Sequence, residues 1–320
     1  MKRTTTLTLI FASALLLLAA TAQADVRGGW TATRHKGGTG KLQLQLQHDH
    51  SNHGQSIDLA AFSGLTAAQV AASTATPVTF SLRREAGTVT FDGTFRNGSG
   101  GGEFAFAANP AYLATLRDLD VAVSRAKDHG SSADEQLLSL ALLDVSTAFI
   151  RSMQAAGYRE SLDDYLAMRI FDVTPELVAE FRELGMNLSA DDLVAGRIHG
   201  VSPAYVRQMR ELGRREASFD DLVATRIHGA TPQFIGEMKE LGYGDLDLDD
   251  YVAFRIHGVT PAFVEELAEL GYRDIDADDL VAFRIHGVTA KFIRELEEDG
   301  YRDLSADDLV SMRIHGRGRR

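Results

Sequence analysis

The tetrapeptide Arg-Ile-His-Gly stands at Arg197–Gly200, Arg226–Gly229, Arg255–Gly258, Arg284–Gly287 and Arg313–Gly316, each copy beginning 29 residues after the one before. A fixed interval of this size is the signature of a stacked array, in which each unit is one supersecondary element leaning on the next. A related word, RIFD at Arg169–Asp172, lies 28 residues ahead of the first copy. The units run 173–200, 201–229, 230–258, 259–287 and 288–316. Residues 144–171 follow the same pattern, and an eroded unit, 109–120 continued at 132–143, opens the array.

The unit 259–287 shows what is repeated. Thr260 and Pro261 make a helix start, a hydroxyl N-cap followed by proline at the first helical position. Phe263, Val264, Leu267 and Leu270 then share one face, and Gly271 supplies a left-handed C-cap. After the turn YRDI, Asp276 caps a second helix with Asp278 and Asp279 in its first turn, where the helix dipole favours anions. Leu280, Val281, Phe283 and Ile285 are its apolar positions; Arg284 and His286 fill its last turn and Gly287 closes it. Two short helices cannot build a core alone, so each unit must bury its apolar faces against its neighbours. The expected architecture is an α-solenoid of two-helix units. The last unit has Ala290 where the one before has Pro261, and its first helix is more acidic, as suits a terminal cap.

The chain ahead of the array has period two instead. KLQLQLQ (41–47) alternates apolar and polar residues as a half-buried strand does. PVTFSLRRE (77–85), GTVTFDGTF (87–95) and EFAFAA (103–108) continue the pattern, with a tight hairpin at Ala86-Gly87. Trp30 anchors the first strand in the core, and LTAAQVAAS (65–73) reads as a short helix capped by Thr66. The fold class is therefore α+β. A small, mostly antiparallel β-rich domain of five or six strands and one helix spans 25–108, the helical array spans 109–316, and a basic tail occupies 317–320.

The first 24 residues have the three parts of a secretory signal peptide: Lys2 and Arg3, an apolar run from Leu7 to Ala20, and Ala22-Gln23-Ala24 before Asp25. Cleavage after Ala24 would leave a periplasmic or secreted chain with no membrane-spanning segment. No cysteine is present, so disulfides and thiol chemistry are excluded. Residues 144–320 carry 34 Asp+Glu against 21 Lys+Arg, whereas 25–143 are nearly balanced at 11 against 10. Such an acidic chain is a poor nucleic-acid binder, because phosphate contacts need positive charge.

Three patterns invite a chemical reading. The first is the recurring His199, His228, His257, His286 and His315. In a stack these would stand on the order of 10 Å apart, too far for two to share one metal ion at about 2 Å. Each precedes a C-capping glycine, which makes the word helix punctuation. The second is the acidic pairs, such as Asp278-Asp279. They recur as helix N-termini, and DLDLDD (245–250) lacks the glycine and glutamate of a calcium loop. The third is HDHSNH, which gathers His48, Asp49, His50 and His53 at a strand end and loop. Imidazoles and a carboxylate suit a transition metal such as zinc, copper or nickel, so these four residues are the candidate metal ligands, and a periplasmic metal-binding protein is the alternative reading. The stretch NGSGGG (97–102) reads as a flexible hairpin, since it lacks the spacing of a phosphate loop or a nucleophile elbow. No catalytic constellation emerges, and no bound cofactor is expected.

In its wording the chain resembles a group of bacterial exported or membrane-anchored proteins that carry arrays of the same helix pair. The resemblance rests on RIHGVTPAFVEELAELGY (255–272), LSADDLVSMRIHG (304–316) and GTFRNGSGGGEFAFAANPAYL (93–113), and covers roughly 77–316. Similar arrays follow membrane-embedded antirepressor-type zinc peptidases. This chain lacks the peptidase part, so the resemblance implies a sensing or docking role in the cell envelope and no proteolysis. The expected function is that of a non-enzymatic scaffold for a protein or peptide partner.

Overall fold

The computed structural model describes residues 26–34, 40–49, 51–121 and 133–316. The expected signal peptide, His50 and the basic tail lie outside them. The chain divides into two compact units, the first ending at Thr147 and the second taking the repeats from Ala148 onward.

The first unit is built on seven strands: β1 (Val26–Arg34), β2 (Lys41–His48), β3 (Ser51–Asp58), β4 (Phe62–Ser63), β5 (Thr76–Arg84), β6 (Gly87–Arg96) and β7 (Ser99–Ala108). They form one antiparallel sheet in the order β3-β2-β1-β7-β6-β5-β4, curled into a half-barrel. β3 was not legible beforehand. Its sequence SNHGQSID has one large apolar residue, Ile57, because it is an edge strand whose inward positions are only half buried.

The stretch read as a flexible glycine hairpin is largely strand. The turn is only Asn97-Gly98, both with positive φ (50° and 81°), as a two-residue hairpin turn demands. The glycines that follow belong to β7, where Gly102 faces Gly93 of β6. A Cβ on Gly102 would lie 2.0 Å from the Asp92 carbonyl oxygen, and one on Gly93 would lie 2.2 Å from the Gly101 carbonyl oxygen and 2.8 Å from the Trp30 ring. Absent side chains thus let the sheet close around Trp30.

Trp30 is buried, its Nε1–H donating to the Asp92 carbonyl at 3.1 Å. Phe80, Phe91 and Phe95 surround it with ring centroids 5.3–6.0 Å away. A short helix, α1 (Ala67–Ala71), begins with a capping box between Thr66 and Gln69. Two more helices follow, α2 (Pro110–Asp118) and α3 (Ala133–Leu142). They keep the grammar of a repeat: Asn109 caps α2 ahead of Pro110, and Asp144 takes a left-handed φ of 53° where later units have glycine. Yet both group with the sheet, so the β-rich unit extends past residue 108. The cause is α3, whose Leu137, Leu138 and Leu140 are buried as it packs on β1, β5, β6 and β7. A helix apolar over so much of its circumference suits a curled sheet better than a single helical neighbour.

The second unit holds six helix pairs among the described residues: α4 (Thr147–Ala155) with α5 (Leu162–Ile170), α6 (Pro175–Glu183) with α7 (Ala190–His199), α8 (Pro203–Glu211) with α9 (Phe219–His228), α10 (Pro232–Glu240) with α11 (Leu248–His257), α12 (Pro261–Glu269) with α13 (Ala277–His286), and α14 (Ala290–Glu298) with α15 (Ala306–His315). Second helices pack on second helices from α5 to α15, and first helices meet in the same way at α6–α8, α10–α12 and α12–α14. Each pair buries its apolar face between neighbours, as Phe263, Val264 and Leu267 of α12 and Leu280 and Phe283 of α13 do.

Long polar side chains fix the step from one repeat to the next by bonding to its backbone. Tyr158 and Tyr243 hydroxyls donate to the carbonyls of Leu188 (2.7 Å) and Ile275 (2.8 Å). Arg182 and Arg210 reach back to the carbonyls of Ala156 and Leu184, both at 2.6 Å. These bonds satisfy carbonyls at helix ends and turns that have no partner in their own helix.

Candidate functional site

All second helices run in the same sense, so their RIHG ends line one edge of the stack and their acidic starts line the other. The acidic edge serves its own helices. Asp192, Asp221, Asp250 and Asp308 accept the N-cap N–H of Ser189, Ser218, Asp247 and Ser305 at 2.9–3.2 Å, closing capping boxes. Burial, then the nearby carboxylate of Asp307, raises the Asp279 carboxyl above its ordinary range.

The RIHG edge differs from the expectation at its isoleucines. Ile285, read with the apolar positions of its helix, is 56% exposed, and Ile170, Ile198, Ile227, Ile256 and Ile314 are exposed by 51–55%. These six are the large apolar side chains left outside among the described residues. Helix geometry is the reason. At 3.6 residues per turn, Leu280 and Phe283 lie about 60° apart, whereas Ile285 points about 140° from Leu280. That angular offset was the available signal, and reading the isoleucine simply as apolar missed it.

The arginines of this edge mostly meet rings and not carboxylates. Arg197 does pair with a carboxylate: its Nη2 lies 3.2 Å from Asp172 Oδ2, and its Nε donates to the Phe171 carbonyl at 2.7 Å. Asp172 holds the left-handed position (φ 55°) that glycine holds in the next units, so a carboxylate is there to be met. Elsewhere the arginine stacks on an aromatic ring of its own unit's first helix: Arg226 on Tyr205, Arg255 on Phe234, Arg284 on Phe263 and Arg313 on Phe292, at 4.9–5.1 Å from the centroids. The unit of Arg197 has Leu177 at that place and offers no ring. Each guanidinium also reaches the helix end of the preceding unit. Arg226 Nε donates to the His199 carbonyl at 3.2 Å, and the cation there complements the negative end of the helix dipole.

His199, His228, His257, His286 and His315 are exposed, each in the last turn of its helix. Gly200, Gly229, Gly258 and Gly287 follow with φ of 74–77°. The word is helix punctuation, as expected, and it also builds a surface: one arginine, one isoleucine and one histidine per repeat.

The HDHSNH residues lie in the first unit. Asp49, with φ 45°, forms the β2–β3 turn and is exposed. His48 and His53 instead project to the inner face of the sheet, their rings stacked at 5.5 Å and 9°. His48 is 4% exposed, and its Nδ1 lies 3.6 Å from Glu135 Oε1 of α3. The Nε2 atoms of both histidines are buried without a hydrogen-bond partner. Burial, then the neighbouring His48, lowers the His53 pKa, against an upward pull from Glu135. In stacked, nearly parallel rings the nitrogen lone pairs lie in two separate planes, so one ion at about 2 Å from a nitrogen of each would require a ring to tilt. No set of three or more His, Asp or Glu side chains is gathered as a metal centre among the described residues. The pair His48–Glu135 joins hairpin to α3 in a way the local sequence did not announce, because Glu135 is 87 residues away.

No helix among the described residues is long and apolar enough to cross a membrane. No protein-family model matches the chain, and no curated protein matches it.

Proposed function

We propose that the protein is a non-enzymatic docking scaffold of the cell envelope, which holds a protein or peptide partner along the RIHG edge of its array. The row of exposed isoleucines carries this reading. An isoleucine left about half exposed forgoes roughly half of the 1.5–3 kcal/mol that full burial gives, and a fold that needed only helix punctuation could place any polar residue there. The array instead places isoleucine there in six successive units. Regularly spaced apolar groups between arginine and histidine suit an extended interface, as the surfaces of helical solenoids commonly do. Export follows from the signal-peptide pattern of residues 1–24.

The test compares the wild-type chain with the variant Ile227→Ser, Ile256→Ser, Ile285→Ser as bait in envelope extract. Exposed positions tolerate such changes within about 0.5 kcal/mol, so the variant should keep its helical circular dichroism and melting temperature. A partner held by the wild type and released by the variant supports the scaffold. Identical capture by both baits, or none by either, removes its basis.

A further inference from the structure

Building on that docking reading, we infer that the occupant of the RIHG edge is an extended acidic peptide with an aliphatic side chain at every third residue. The juxtaposition behind this is an isoleucine row one side chain wide beside a row of stacked arginines that lack carboxylate partners.

Spacing comes first. Packed helices lie about 8–10 Å apart, and the second helices pack one on the next from α5 to α15. Equivalent isoleucines therefore recur at about that interval. A polyproline II chain rises about 3.1 Å per residue and presents the same side every three residues, so its period is about 9.3 Å. A β-strand presents one face every two residues, about 6.6 Å, and falls out of step within two repeats. An α-helix returns after seven residues at about 10.5 Å, but its apolar stripe spans 100° or more. The exposed large apolar groups here form a single file, which would leave most of that stripe in water.

Charge comes second. Arg226, Arg255, Arg284 and Arg313 have no carboxylate within 4 Å among the described residues, although the whole chain carries a net charge of −12. Each is already held in place by an aromatic ring, so a ligand meets an ordered guanidinium with N–H donors to spare. A planar fork of donors favours a carboxylate, which can accept two of its bonds. The peptide that satisfies both rows alternates one aliphatic residue, one spacer and one acid.

The probe is a fluorescent peptide of about five Leu-Pro-Glu repeats, proline favouring the extended form, titrated by anisotropy into the purified full-length chain. Binding should weaken at least about tenfold, some 1.4 kcal/mol, when glutamine replaces glutamate and when a serine is inserted to give a four-residue spacing. The triple isoleucine-to-serine variant should lose binding by a similar factor. The variant Arg255→Gln, Arg284→Gln should erase the preference for glutamate over glutamine, and rising salt should do so gradually. Equal binding of the three-residue and four-residue peptides, equal binding of the glutamine peptide, or tighter binding of an acidic amphipathic helix would overturn the inference. If no peptide binds while envelope capture still depends on the isoleucines, this inference fails and the scaffold reading stands. If the capture shows no such dependence, the scaffold reading fails with it.

Discussion

Arg226 of one repeat occupies the space that a side chain on Gly200 of the preceding repeat would need: a Cβ on Gly200 would lie 2.6 Å from Arg226 Nη2. Gly200 is thus favoured by its left-handed φ of 77°, and any side chain there would also have to displace the guanidinium across the repeat boundary. Gly213, at φ 91°, has only the first of these constraints, since nothing lies within 4 Å of its Cβ position. The left-handed conformation alone costs an alanine about 1–2 kcal/mol. Denaturant titrations should show Gly213→Ala losing about that much and Gly200→Ala losing more. The excess should shrink when Arg226→Ala is added, because the clash is with a removable side chain.

The arginines of the edge should differ in how salt affects them. Arg284→Ala removes a cation–π contact worth about 0.5–1 kcal/mol and a charge at a helix end worth about 0.3–1 kcal/mol. Arg197→Ala removes an exposed ion pair with Asp172, worth about 0–1 kcal/mol. Melting in low and high salt should show the Arg197 effect fading as the pair is screened and the Arg284 effect persisting in part, since its ring contact is short-ranged.

Thr225 is fully buried at a position where the two following repeats have Phe254 and Phe283. Its hydroxyl lies 2.7 Å from the Tyr205 hydroxyl and donates to the Leu222 carbonyl at 2.7 Å. Thr225→Val keeps the shape but strands the tyrosine hydroxyl, at a cost of about 1–3 kcal/mol. Adding Tyr205→Phe should recover part of it, and a double-mutant cycle in urea measures how much.

The first unit should weaken in mild acid. His53 is held below its ordinary 6.5 in the folded chain, by burial first and then by His48. The unfolded chain therefore takes up a proton near pH 6.5 that the native state resists. The contribution of His53 is complete above that pH and is lost as pH falls toward the depressed folded value. The melting temperature should decline below about pH 6.5, and His53→Gln should flatten the decline. An unchanged slope would mean that the histidine stack does not couple to folding.

Much of the array was legible because its rules are local. Thr260 before Pro261, the acidic first turn at Asp278 and Asp279, and the glycine after His286 are each decided within a few residues, and the chain states them several times. The alternating strands and the buried Trp30 were legible on the same grounds. β3 escaped because an edge strand with half-buried inward positions needs little apolar alternation.

What needed the folded chain were the relations between distant residues. Sequence alone determined the helix pairs, their caps and their 29-residue period, because helix propensity, capping and apolar periodicity act over one or two turns. Tertiary structure decided that His48 faces Glu135, that α3 joins the sheet, that arginines stack on rings rather than on carboxylates, and that the isoleucines point to solvent. Those outcomes depend on where the stacking step carries each helix, and that step is set by the fit of packed side chains across repeats.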